Sequence, residues 1–113
     1  MNMHILKATE GTRHYIDLAG EIDAYTAPKL KEELMPLAEQ KRQTIVVDLS
    51  KVTYLDSTGL GIFVGALKKS HQNESEVILK NLTARVERLF TITGLDEIFT
   101  IQRDNVLGKG EEK

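Results

Sequence analysis

The hydrophobic and polar positions follow two different periods along the chain, and each period predicts one type of secondary structure. Residues 3–9 and 13–20 alternate loosely around Glu10-Gly11-Thr12, which is typical of a β-hairpin. Three further apolar stretches have the length and composition of strands, at residues 44–49, 76–80 and 98–101. The pattern therefore predicts about five strands, of which the first two are antiparallel.

Apolar residues at helical spacing separate these strands and predict helices at residues 26–40, 57–70 and 83–93. The first helix begins with Thr26 as its N-cap, and Pro36 inside it should bend its last turns. The second begins with Ser57 as its N-cap, and the third stops at Gly94.

This order of elements predicts an α/β fold with a mixed sheet of about five strands and three to four helices. The strand at 44–49, the helix from Ser57 and the strand at 76–80 form a β-α-β unit, which should cross over with a right hand to a parallel neighbour. We place a single domain at residues 1–103 and a polar, flexible tail at 104–113.

Composition narrows the classes of function. The 15 basic and 17 acidic residues give a net charge of -2 without a basic stripe, which argues against direct binding of nucleic acid. Cysteine is absent, so disulfides and thiolate chemistry are excluded. No apolar run is long enough for a membrane span, and no signal peptide is recognisable. We therefore expect a cytoplasmic protein that does not bind membranes.

Ser57 is the candidate working residue, because its hydroxyl lies where an extended segment becomes a helix. A serine oxygen at that position either caps the free backbone N–H groups or anchors an anion. The two roles are compatible, since a phosphate on the capping serine would lie where the helix favours negative charge. Three acids, predicted at the carboxyl ends of strands or in the loops that follow, are either part of the same site or solvated turn residues: Glu21, Asp23 and Asp56.

Hydrolysis by a serine nucleophile is not supported. It would need a base beside Ser57, and the histidines are predicted on strands (His4, His14) or in a post-helix loop (His71). Leu55 also occupies the position of the first glycine in a nucleophile elbow. The histidine spacing fits no metal site, so we predict neither a metal nor a cofactor.

A glycine series, Gly59-x-Gly61-x-x-x-Gly65, leaves a nucleotide-binding protein open as an alternative, with this helix start as a phosphate cradle. The series lies inside the apolar helix stripe rather than in a turn. We therefore expect these glycines to let a helix or a partner backbone approach closely. A scaffold subunit that is never modified is a further alternative.

Several segments together resemble the STAS domain of bacterial anti-sigma-factor antagonists. They are Leu18-Ala19-Gly20-Glu21-Ile22-Asp23, Thr26-Ala27-Pro28, and Val47-Asp48-Leu49 leading to Tyr54-Leu55-Asp56-Ser57-Thr58-Gly59-Leu60. The hallmark is Asp-Ser-x-Gly after a strand, preceded at this distance by Gly-x-Ile-Asp. The chain is most similar to general-stress-response antagonists of the RsbV type, including the turn Thr93-Gly94-Leu95-Asp96.

The resemblance implies a regulatory switch rather than an enzyme. The unphosphorylated domain would bind an anti-sigma factor that is also a serine kinase, and so free the sigma factor. Phosphorylation of Ser57 would dissociate the complex, and a phosphatase of the PP2C class would restore the binding form. Sporulation antagonists share the motif and remain an alternative. The expected partner-binding residues are Glu21, Asp23, Asp56, Ser57, Thr58, Gly59, Leu60 and Gly61.

Overall fold

A computed structural model describes residues 2–104 and places five strands in one mixed sheet with three α-helices. The elements in chain order are β1 (Met3–Glu10), β2 (Arg13–Ile22), α1 (Ala27–Ala38), β3 (Thr44–Leu55), α2 (Ser57–Gln72), β4 (Glu76–Lys80), α3 (Ala84–Ile92) and β5 (Thr100–Gln102). The sheet order is β1-β2-β3-β4-β5, with β1 antiparallel to β2 and the other neighbours parallel. The predicted fold class and the hairpin are confirmed.

The structure leaves two predictions about the fold untested. The parallel pairing of β3 with β4 agrees with the β-α-β unit, and its right-handed crossover is still an expectation. The predicted polar tail lies, beyond Asp104, outside the described residues.

The core lies on the sheet face that α1 and α2 cover. Alternate residues of the three central strands point to this face, and the parallel register places Ile16 beside Val47 and Val47 beside Leu79. The two helices bury their apolar stripes against it, with Leu30 and Phe63 fully buried. Burial of this face fixes the register of the sheet and so the position of each strand's carboxyl end.

β3 is longer than the sequence pattern predicts, and it ends at Leu55 rather than near residue 49. Its pairing with β2 shifts register between Asp17 and Ala19 and again between Gly20 and Glu21, with the extra residues on β3. Such bulges interrupt the period-two alternation, which is why the pattern stops early. They also carry the end of β3 to the end of β2, where Leu55 lies opposite Ile22.

Two other boundaries differ from the prediction. β5 begins at Thr100, because Ile98 closes a short 3-10 turn (Leu95–Glu97) that follows the left-handed Gly94. His71 lies in the last turn of α2 rather than in a loop, since that helix continues to Gln72.

Candidate functional site

The start of α2 is built on the carboxylate of Asp56. Asp56 is extended (φ -112°, ψ -174°), and its Oδ1 accepts hydrogen bonds from the backbone N–H groups of Thr58 at 2.9 Å and Gly59 at 3.3 Å. Asp56 is therefore the N-cap, and the prediction that Ser57 caps this helix is wrong. The physical reason is a tertiary contact, because the backbone N–H of Asp56 donates to the carbonyl of Ile22 at 3.2 Å. This contact holds Asp56 in the extended conformation that a cap requires.

Ser57 is consequently the first helical residue, and its side chain is exposed. Its hydroxyl makes no hydrogen bond to any residue in the described part of the chain. The neighbouring Thr58 is also exposed, whereas Gly59 and Leu60 are buried. The Ser57 hydroxyl thus lies at the positive end of the helix dipole and makes no hydrogen bond within the described chain, whereas the adjacent Asp56 carboxylate caps the helix.

Asp23 shapes the loop between β2 and α1. It is only 7% exposed, and its Oδ1 accepts hydrogen bonds from the backbone N–H groups of Tyr25 at 2.9 Å and Thr26 at 3.1 Å. Thr26 returns the contact, since its Oγ1 accepts from the Asp23 N–H at 2.9 Å and donates to the Glu21 carbonyl at 2.8 Å. Thr26 occupies the N-cap position of α1, but its own φ and ψ are helical and its side chain does not cap that helix. The predicted N-cap position is therefore confirmed, but the Thr26 hydroxyl bonds with Asp23 and Glu21 rather than with the free N–H groups of the helix.

The structure brings the three predicted acids to one groove of about 280 Å³ at the carboxyl ends of β2 and β3. Glu21, Asp23 and Asp56 line it, together with the exposed aromatic residues Tyr25 and Tyr54. Ser57 follows Asp56 directly, so this exposed residue borders an anionic, aromatic-lined groove.

The two tyrosines are functional candidates that the sequence analysis missed. Tyr25 is 86% exposed and Tyr54 is 41% exposed, which is unusual for aromatic side chains beside a core. A signal existed in each case, because Tyr25 falls in a turn and Tyr54 falls after the point where the alternation of β3 breaks down.

The three glycines of α2 have different surroundings. A Cβ on Gly59 would lie 2.4 Å from Leu55 Cδ1 and 2.6 Å from Ile22 Cγ2, so this glycine permits close packing of the helix start on the strand ends. A Cβ on Gly61 or Gly65 would meet nothing within 4 Å. The neighbours of Gly59 are thus strand side chains rather than a second helix, and the approach of a partner backbone stays a prediction. All three glycines lie in the helix rather than in a phosphate-binding loop.

His14 and His71 are not placed to act on Ser57. His14 hydrogen-bonds with Thr9 at 3.0 Å and with Gln43 at 2.7 Å, close to the start of β3 and so at the opposite end of that strand from the site. His71 lies at the far end of α2. Among residues 2–104 there is no group of three or more His, Cys, Asp or Glu side chains that could hold a metal ion. Over the same residues, no helix has both the length and the apolar character needed to cross a bilayer.

The profile of the STAS domain family matches residues 5–106. The chain belongs to the STAS domain family. An anti-sigma-B factor antagonist of Listeria monocytogenes is 48% identical to it over 110 residues, covering 96% of this chain and 95% of the relative. An anti-sigma-B factor antagonist of Staphylococcus aureus is 41% identical over 101 residues, covering 89% and 94%. These relatives are regulatory proteins, and they support an anti-sigma-factor antagonist function for this STAS domain.

Solved structures agree on the fold. An anti-sigma factor antagonist from Mycobacterium paratuberculosis superposes with a TM-score of 0.76 at 26% identity, covering 89% of this chain and 86% of the other. The anti-sigma factor antagonist SpoIIAA in its unphosphorylated form superposes with a TM-score of 0.67 at 16% identity, covering 89% and 88%. The five-stranded mixed sheet is thus shared by proteins with little sequence in common.

Proposed function

We propose that this STAS domain is a phosphorylation-gated antagonist of an anti-sigma factor in the general stress response. In its unphosphorylated form it binds an anti-sigma factor that is also a serine kinase, and the sigma factor is released. Phosphorylation of Ser57 ends that binding, and a phosphatase of the PP2C class regenerates the binding form. Partner contacts involve the exposed residues at the start of α2 and the groove beside it.

One observation carries this proposal: the cap of α2 is Asp56, so the hydroxyl of Ser57 has no role in the fold. An exposed serine that stabilises nothing can be modified and restored without unfolding the domain. The modified oxygen would also lie at a helix N-terminus, where the free N–H groups and the helix dipole favour an anion. The folded domain therefore tolerates the phosphate.

The partner does not tolerate it, and the reason is electrostatic. A phosphate adds about −1.5 to −2 charges at neutral pH. It would join the carboxylates of Glu21 and Asp56 on a surface that the kinase must cover to reach Ser57. Like-charge repulsion and steric overlap then oppose docking of the partner rather than folding of the domain.

Related proteins support the idea that the fold persists in both states. SpoIIAA of Bacillus has been solved in a phosphorylated form as well as in its unphosphorylated form. Both share the fold of this chain, with TM-scores of 0.71 and 0.67. The general stress response, in turn, is suggested by the relatives that antagonise an anti-sigma-B factor.

The proposal is tested by incubating the protein with ATP and its cognate anti-sigma factor, and mapping the product by peptide mass spectrometry. We expect one phosphate, on Ser57, and no transfer to the S57A variant. The adjacent T58A variant is the matched control and should still accept one phosphate on Ser57, because Thr58 contributes its backbone N–H to the cap and not its hydroxyl. A phosphate on Thr58, or continued transfer to S57A, would overturn the assignment.

A further inference from the structure

A second groove, of about 290 Å³, lies between the end of β3 and the outer face of α3. Its base is apolar, formed by Leu55, Val86 and Leu89, of which the first two are buried and the third is half-buried. Tyr54 and Ile92 stand at its sides, and Ile92 is 73% exposed. Large apolar side chains exposed beside an apolar groove are typical of a docking surface.

The rim of this groove is basic. Arg85 and Arg88 line it, and both side chains are exposed. Between residues 2 and 104, no carboxylate lies within 4.0 Å of either guanidinium. Glu87, the one acid in the sequence of α3, pairs instead with Arg103. The spacing of Arg85, Arg88 and Ile92 puts all three on one face of the helix.

This basic groove adjoins the acidic groove beside Ser57. Tyr54 lines both grooves, with the acids Glu21 and Asp56 on one side and the arginines of α3 on the other. Leu55, at the base of the second groove, is two residues before Ser57. A protein that covers Ser57 and extends across Tyr54 therefore reaches Arg85 and Arg88.

We propose that the α3 groove binds an acidic segment of the anti-sigma factor, with an apolar side chain of that segment inserted above Leu89. This inference rests on the proposed function and specifies which type of partner segment binds the α3 groove. Carboxylates of the segment pair with Arg85 and Arg88, which have no such partner in the described chain. Because the same segment lies near Ser57, its negative charge is what a phosphate there repels. The groove thus adds affinity for the partner when Ser57 is unphosphorylated. When Ser57 is phosphorylated, the acidic segment held in the groove is repelled by the phosphate.

The experiment measures association and dissociation of the full chain with its cognate anti-sigma factor at low and at moderate salt. We expect the R85E/R88E variant to associate at least about tenfold more slowly at low salt, with a weaker salt dependence than the wild type. The I92A variant should instead dissociate several-fold faster, since it removes apolar contact and no charge. R85A/R88A is a second variant that keeps a good helix former at both positions, and it should slow association less than the reversal.

The matched control is K41E/K69E, which makes the same change in net charge at the opposite end of the strands and of α2. It should associate nearly as fast as the wild type. Unchanged or faster association of R85E/R88E would overturn the groove assignment, even if the protein phosphorylated on Ser57 still fails to bind as the proposed function requires. Failure of the wild-type chain to bind any anti-sigma factor would instead overturn the proposed function itself.

Discussion

The carboxylate of Asp56 accepts a hydrogen bond from the backbone N–H of Thr58 at 2.9 Å, across the serine between them. The helix start is therefore stabilised by a residue that would not be modified. Ser57, in the middle of this contact, is left with a free side chain. Under the proposed function, folding and switching depend on adjacent side chains, so mutation should separate the two roles.

The first prediction concerns stability. D56A should lower the free energy of unfolding by about 1 kcal/mol, because it removes the acceptor for two N–H groups at the helix start. S57A should change it by less than about 0.5 kcal/mol, since alanine is at least as good a residue inside a helix. Chemical denaturation monitored by circular dichroism measures both. D56N is the control, because asparagine caps about as well as aspartate. A cost for S57A equal to that of D56A would show that the serine is the cap after all.

The second prediction concerns the glycines of α2. G61A and G65A should each stabilise the protein by about 0.5–1 kcal/mol, because a Cβ meets open space there and alanine favours the helix. G59A should lose about 1 kcal/mol net, because its Cβ would collide with Leu55 and Ile22. Thermal unfolding of the three variants tests this order. Stabilisation by G59A, or destabilisation by G61A, would contradict the packing described here.

The third prediction uses the same variants to locate the partner. Gly61 lies one turn after Ser57 and is exposed, so a kinase that covers Ser57 should lie against its backbone. G61A should therefore weaken capture of the anti-sigma factor several-fold while it stabilises the fold. G65A, one turn farther along, should give the same stability gain with a smaller loss of binding. Equal binding by both variants would place the partner away from this helix face.

The fourth prediction concerns acid stability, which depends on a polar network between Asp48, in the first half of β3, and residues at the ends of β4 and β5. Asn81 donates to Asp48 at 3.0 Å and to Asp104 at 3.2 Å, and its own Oδ1 accepts from the Asp104 N–H at 2.8 Å. Burial by itself would raise the pKa of Asp48, but hydrogen bonds from Ser50 and Asn81 outweigh it and lower the pKa. Hydrogen bonds from Lys80 and Asn81 lower the pKa of Asp104.

A carboxyl group whose pKa is lower in the folded state stabilises the protein above its unfolded pKa, near 3.9, and this contribution is lost as the pH falls through the folded pKa. The free energy of unfolding should therefore begin to fall as the pH drops below about 5 and should continue to fall below the unfolded pKa. The D48N variant should be less stable than the wild type at neutral pH, and its free energy of unfolding should fall less on acidification. D96N, at an exposed acid outside the network, is the control and should follow the wild type. A D48N curve parallel to that of the wild type would show that the network does not carry the effect.

The fold was largely predictable because its core follows simple periods. The hairpin around Gly11 follows from local alternation, the buried first half of β3 from a short continuous apolar run, and the stripe of α2 from helical spacing. The second half of β3 was not predictable, because it is more polar and bulges opposite Ala19 and Glu21 keep it from alternating regularly. The position at which β3 ends therefore depends on its pairing with β2 rather than on its own sequence.

In the candidate site, too, local sequence preference does not decide the structure, and here the choice is between two adjacent residues. Asp56 and Ser57 are adjacent and both are favoured N-caps, so local preference cannot choose between them. The choice is made by the hydrogen bond from Asp56 to the carbonyl of Ile22, which is distant in sequence. The exposure of Tyr25 and Tyr54 depends in the same way on how strand ends and loops meet.

Under the proposed function, a phosphate on Ser57 ends partner binding while the domain stays folded. The most direct test of this claim is titration of the cognate anti-sigma factor with the protein phosphorylated on Ser57 and with the unphosphorylated protein, with circular dichroism confirming that both are folded. We predict that phosphorylation raises Kd at least about a hundredfold, or about 2.7 kcal/mol, with little change in the spectrum. Equal affinity of the two folded forms would contradict the account.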